Sequence, residues 1–116
     1  MTLQMINEQN FPDIFNNSLY RQILSLIRAG TLEGVHLSEL TKATGLSNRA
    51  VRKAIEEIRR AGVIICTDCV HGYFFPENIR ELSSYIRQEQ RRGNSTLDII
   101  ATAKSLYKEL QEVLNG

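Results

Sequence analysis

Apolar residues recur at helical spacing through most of the chain and change to a strand-like run in one stretch. Leu19, Ile23, Leu26 and Ile27 share one face of a predicted helix. Asn16, Asn17 and Ser18 supply N-cap chemistry before it, and Gly30 is expected to end it in the left-handed conformation. Residues 31–35 read as a loop, with a short extended piece at 35–37. A short helix follows from about Leu37 to Thr44, burying Leu37 and Leu40 and stopping at Gly45. Ser47 caps a third helix, whose stripe is Val51, Ala54, Ile55 and Ile58 and which ends at Gly62. The β-branched run from Val63 to Thr67, with Val63 and Ile65 facing inward, and the aromatic run Tyr73-Phe74-Phe75 flank a turn-sized connection. They predict a β-hairpin closed by Pro76.

Beyond Pro76 the pattern is helical again. Ile79, Leu82 and Ile86 form one apolar line, and the stretch 91–95 breaks it. Ser95 and Asp98 resemble a capping box with Asp in place of Glu or Gln. A last helix, from Thr96 to about Leu114, carries Ile99, Ala103, Leu106, Leu110 and Val113 at spacings of four, three, four and three, a heptad seam. Residues 1–17 have no clear period and read as an arm, with Phe11 and Phe15 as anchors. The expected fold is mainly α with a small β-hairpin. It divides into an arm (1–17), a helical domain with its hairpin (18–76) and a C-terminal helical extension (77–116).

At 116 residues the chain is one domain's worth, and its 42% hydrophobic and 23% charged content fits a folded protein. No apolar run is long enough to suggest a membrane span, and the N-terminus lacks the basic and apolar regions of a signal peptide. Two cysteines are too few for a disulfide framework, so a reducing, cytoplasmic setting is expected. The net charge of +1 conceals an uneven distribution. Residues 47–62 carry five basic and two acidic groups, and residues 80–92 carry four basic and two acidic groups; the other segments are net negative. A basic stripe on a near-neutral protein serves an anionic polymer as well as it serves solvation of a helix face.

The second and third predicted helices are joined by Gly45-Leu46-Ser47. The glycine turns the backbone, the leucine plugs the gap between helices and the serine caps the next one. Here the segment HLSELTKATGLSNRAVRKAIEEIRRAGVI resembles the second and third helices and first wing strand of the winged helix-turn-helix DNA-binding superfamily. The resemblance covers roughly Leu19 to Pro76. The hairpin ending Gly72-Tyr73-Phe74-Phe75-Pro76 before a basic helix is similar to small winged-helix proteins of Gram-positive bacteria and their prophages. In one departure, Thr41 stands four residues before the turn glycine, where the family usually has alanine. The resemblance implies a winged helix-turn-helix followed by C-terminal helices, and double-stranded DNA as partner.

The residues themselves give the same direction. With Val51, Ile55 and Ile58 inward, Asn48, Arg49, Arg52 and Lys53 fall on the outer face of the first two turns, the part of a recognition helix that enters the major groove. Arginine pairs with guanine and asparagine with adenine through two hydrogen bonds. Ser47 and the helix N-terminus suit a phosphate, and Arg59 and Arg60, at the far end, are expected on the DNA backbone. The competing reading is a solvated face on which Glu56 and Glu57 pair with the arginines.

The hairpin tip has no Lys or Arg, only Asp68 and His71, so it suits closing the core better than reaching DNA. Cys66, Cys69 and His71 supply three ligands where a closed zinc site needs four, and no metal or cofactor is expected. No catalytic triad order, P-loop or dinucleotide fingerprint is present, which predicts a binding protein rather than an enzyme. The heptad seam is too short to be stable alone. It packs either on its own domain or on the same helix of a second subunit, and a homodimer is expected through the C-terminal helices. Arg80, Arg87, Arg91 and Arg92 either flank DNA or keep their helix soluble. The function expected is a sequence-specific DNA-binding transcriptional regulator. The alternatives are a protein-interaction module, a DNA-replication accessory protein and a metal- or redox-responsive sensor.

Overall fold

A computed structural model describes residues 4–92 and 97–115. It is mainly helical with a two-stranded antiparallel hairpin, the arrangement of a winged helix-turn-helix followed by C-terminal helices. The elements are α1 (Pro12–Phe15), α2 (Ser18–Leu26), α3 (Leu37–Thr44), α4 (Asn48–Arg60), β1 (Cys66–Asp68), β2 (Gly72–Phe74), α5 (Ile79–Arg92) and α6 (Leu97–Asn115). A single 3₁₀ turn spans Thr31–Glu33.

Helix α2 starts as its sequence dictates, with the Asn17 side chain accepting from the Tyr20 N–H. It ends four residues before Gly30, because Ile27 turns extended. The backbone then serves the hairpin instead. The Arg28 carbonyl accepts from Phe75 N–H, and Gly30 N–H donates to the Phe75 carbonyl. Further along, Val35 and Tyr73 exchange both backbone hydrogen bonds. Strands β1 and β2 pair Cys66 with Phe74 and Asp68 with Gly72.

Two apolar clusters hold the chain together. The first joins Ile23, Leu40, Val51, Ile55, Ile58, Val63 and Ile65 with Phe75, and it is the core of α2, α3 and α4. The second joins Ile64, Cys66 and Phe74 with Leu82, Tyr85, Ile86 and Ala103, and is the core between the hairpin and the C-terminal helices. Residues 63–66 are all buried and alternate between the two. Such double burial explains why this stretch is continuously apolar.

Residues 4–17 pack on the domain. Ile14 is buried, Phe11 and Phe15 pack on the same core, and the Gln4 amide donates to the Gly62 carbonyl while accepting from Ile64 N–H. Helix α6 packs on α5 and touches α4. Ala103 is buried and Leu106 and Leu110 half-buried in the second cluster, whereas Val113 is exposed. Most of the described seam is thus used within the chain. The Ser95–Asp98 capping pair, and the Ile99 side chain at the head of the seam, lie outside the described residues. Among the described residues no helix is long and apolar enough to cross a membrane.

Candidate nucleic-acid interface

The turn between α3 and α4 is built by three residues. Gly45 sits at φ +75°, in the left-handed region, with open space where a side chain would be. Its requirement is therefore conformational rather than steric. Thr44 Oγ1 donates to the Leu40 carbonyl and accepts from Leu46 N–H, which fixes the turn. Thr41, at the position where alanine is usual in the resembling family, donates its hydroxyl to the Ser38 carbonyl, so its extra polar atom is satisfied within α3. Ser47 Oγ accepts from Ala50 N–H and starts α4.

Helix α4 buries Val51, Ala54, Ile55 and Ile58. Ser47, Asn48, Arg49, Arg52 and Lys53 are exposed together on its first two turns. The two carboxylates that follow are committed elsewhere. Glu57 accepts from the Tyr20 hydroxyl of α2, a bond that raises the Tyr20 pKa along with burial and the Glu57 charge. Glu56 lies 3.8 Å from Arg59. Among the described residues no acidic side chain pairs with Arg49, Arg52, Lys53 or Arg60. The charges on the leading turns are thus uncompensated, against the reading in which Glu56 and Glu57 neutralise them.

Arg59 departs from the sequence expectation. It is 7% exposed and turned inward. Its Nε and Nη2 donate to the Ile65 carbonyl at 2.9 and 2.6 Å, and Nη2 also donates to Thr67 Oγ1 at 2.7 Å. The guanidinium lies 6.0 Å from the Tyr73 ring centroid and 5.7 Å from that of Tyr85. It satisfies a buried carbonyl, and its delocalised charge tolerates aromatic faces, so it ties α4 to the hairpin rather than to DNA. Arg60, next in sequence, is exposed. Periodicity alone does not separate the two, because position 59 lies at the edge of the apolar stripe and its partners belong to other elements.

Residues 20–74 match the HTH domain family. The segment is similar to that family over these residues. The match supports DNA binding, and its span runs from α2 to the end of β2. Neither the curated proteins nor the solved structures gave a match.

The hairpin that closes the helix-turn-helix domain carries no cation at its tip. Asp68 accepts from the Val70 and His71 N–H groups, with His71 Nδ1 3.5 Å away. The bond from Val70 is the main cause that holds the Asp68 carboxyl below its ordinary pKa; burial opposes it, and His71 adds to the lowering. Cys66 and Cys69 are separated by environment. Cys69 is exposed, whereas Cys66 is buried in the second cluster, where loss of water pushes its thiol pKa up to about 12 despite the opposing Arg59 charge. Among the described residues no group of three His, Cys, Asp or Glu is placed to hold a metal ion.

Two open depressions flank the hairpin. A groove of about 360 Å³ runs between α4 and the sheet, lined by Arg52, Lys53, Glu56, Thr67 and Tyr73. A cleft of about 500 Å³ lies between the hairpin and α5, with Thr67, Asp68 and Cys69 on one side and Arg80, Ser84 and Arg91 on the other. Thr67 borders both.

Proposed function

We propose that the protein is a sequence-specific double-stranded DNA-binding transcriptional regulator. The first two turns of α4 enter the major groove. Asn48, Arg49 and Arg52 read base edges, Lys53 and Arg60 meet phosphates, and Ser47 brings the helix N-terminus to the backbone. The observation that carries this reading is the pairing on α4. Both of its carboxylates face partners within the protein, which leaves the cations of the leading turns exposed and uncompensated.

The regulator acts as a homodimer through its C-terminal helices. Val113 and Leu114, exposed at the end of α6, support pairing through its last turn. A two-fold pair sets two recognition helices about 34 Å apart on one face of a duplex.

The test is fluorescence anisotropy on random-sequence duplex across a salt series, followed by site selection. Affinity is expected to fall linearly with salt on logarithmic axes, because each phosphate neutralised releases counterions, and selection is expected to yield a preferred sequence. Absence of binding at low salt would sink the reading.

A further inference from the structure

The hairpin tip lacks the cations with which a wing reaches phosphate, yet beside it lies a second positive face. On α5, Arg80, Ser84, Arg87 and Arg91 follow at spacings of four, three and four, which places them on one side of the helix. From Arg80 to Arg91 the row is about 16 Å long at the helical rise. All three arginines are exposed. Arg87 donates weakly to Ser84 Oγ, at 3.4 Å. Among the described residues no carboxylate forms an ion pair with any of the three.

Of the acidic residues nearby, Glu77 is exposed at the head of α5, and the others are held or buried. Glu81 accepts from the Thr31 N–H and hydroxyl and from Glu77 N–H. Glu89 is buried. Asp68, across the cleft, is held by the N–H groups of its own turn. Arg80 and Arg91 line the same cleft as Thr67, and Thr67 also borders the groove that holds Arg52 and Lys53. The cationic faces of α4 and α5 therefore flank β1 and meet at Thr67.

We propose that the outer face of α5 is a second phosphate-contacting surface. Arg80, Arg87 and Arg91 take the duplex backbone on the far side of the hairpin, where the tip itself offers no charge. This rests on the DNA reading of α4 and extends its footprint into the C-terminal helices. Such contacts position the protein without reading sequence.

Three full-length variants test it on one random duplex and one selected duplex across a salt series: R80Q/R87Q/R91Q, the same three positions changed to lysine, and R49Q/R52Q/K53Q. The glutamine variant of α5 is expected to lower affinity on both duplexes alike. Its logarithmic salt slope should be shallower than wild type by up to about 2.7, from about 0.9 per phosphate. The lysine variant should keep the wild-type slope, since a point charge suffices for phosphate. Thermal melts matching wild type show that the fold is kept. An unchanged slope in the glutamine variant, while the α4 variant loses binding, would overturn the α5 surface and leave the α4 reading standing. Equal slope loss in the glutamine and lysine variants would also overturn it, since charge would then not be the cause. A wild-type protein that binds neither duplex would remove both readings together.

Discussion

The two ends of α4 spend the same residue type in opposite ways. Near its start, Arg49 and Arg52 stand in solvent with no acidic partner among the described residues. Two turns later Arg59 is enclosed, with its guanidinium bonded to the Ile65 carbonyl and Thr67 and set between Tyr73 and Tyr85. What differs is what each end abuts. The leading turns follow an exposed turn, while the last turn leads into residues 63–66, buried on both sides. A charge on the first part is available to an outside ligand. A charge on the second belongs to the architecture, and counting cations along the helix mixes the two.

Substitution separates the ends. Arg59→Ala leaves a buried carbonyl without its donors and a void between two rings, so it is expected to destabilise the fold by about 3 kcal/mol. Arg60→Ala should change stability by no more than about 0.5 kcal/mol. Urea denaturation of both variants decides the matter, and an Arg59 variant as stable as wild type would break the contrast. Arg52→Ala is expected to do the reverse: melt with wild type, yet weaken binding to a selected site by about 1–3 kcal/mol through a lost base contact. Unchanged affinity would take Arg52 out of the interface.

A smaller effect probes the join between the first helices and α5. Burial disfavours ionisation of Glu81, but hydrogen bonds from Thr31 and Glu77 outweigh it and hold its carboxyl below the ordinary pKa. A lowered folded value means that the carboxylate stabilises the fold above the unfolded value, and that this contribution is lost as pH falls through the folded one. Glu81→Gln should therefore cost about 1 kcal/mol at neutral pH, allowing for partial exposure. The gap to wild type should close on acidification below the usual carboxylate range, with DNA affinity unaffected. A gap independent of pH between 2 and 7 (roughly the span of carboxylate titration) would show that the ionised carboxylate is not the anchor.

Much of this molecule is legible from one sequence. The stripe of Val51, Ala54, Ile55 and Ile58, the Gly45-Leu46-Ser47 turn and the hairpin follow from local rules, because period, caps and turn chemistry act over a few residues. The early end of α2 does not, since it depends on hydrogen bonds to Phe75, far along the chain. Nor does the fate of the charges. That Glu57 meets Tyr20, and that Arg59 turns toward Ile65, are facts about which elements become neighbours. The packing of α6 on α5 likewise resolves only in three dimensions, because a heptad seam has the same spacing whichever helix it faces.

The segment 63–66 has a consequence for how pairing is specified during folding. In an ordinary half-buried strand, a slip of one residue exposes the apolar set and buries the polar one, and water enforces the alignment. Here either phase would present greasy side chains to both sides, so solvent cannot tell the right alignment from the wrong one. The discrimination passes to shape. Gly72, opposite Asp68, sits at φ +89°, and a Cβ there would lie 2.3 Å from the Val35 carbonyl oxygen. Only a residue without a side chain fits that notch. A shift of β2 by one residue against Val35 would bring His71 or Tyr73 into it, so the seat of β2 beside residue 35 is keyed mechanically, like a lock that admits one blank.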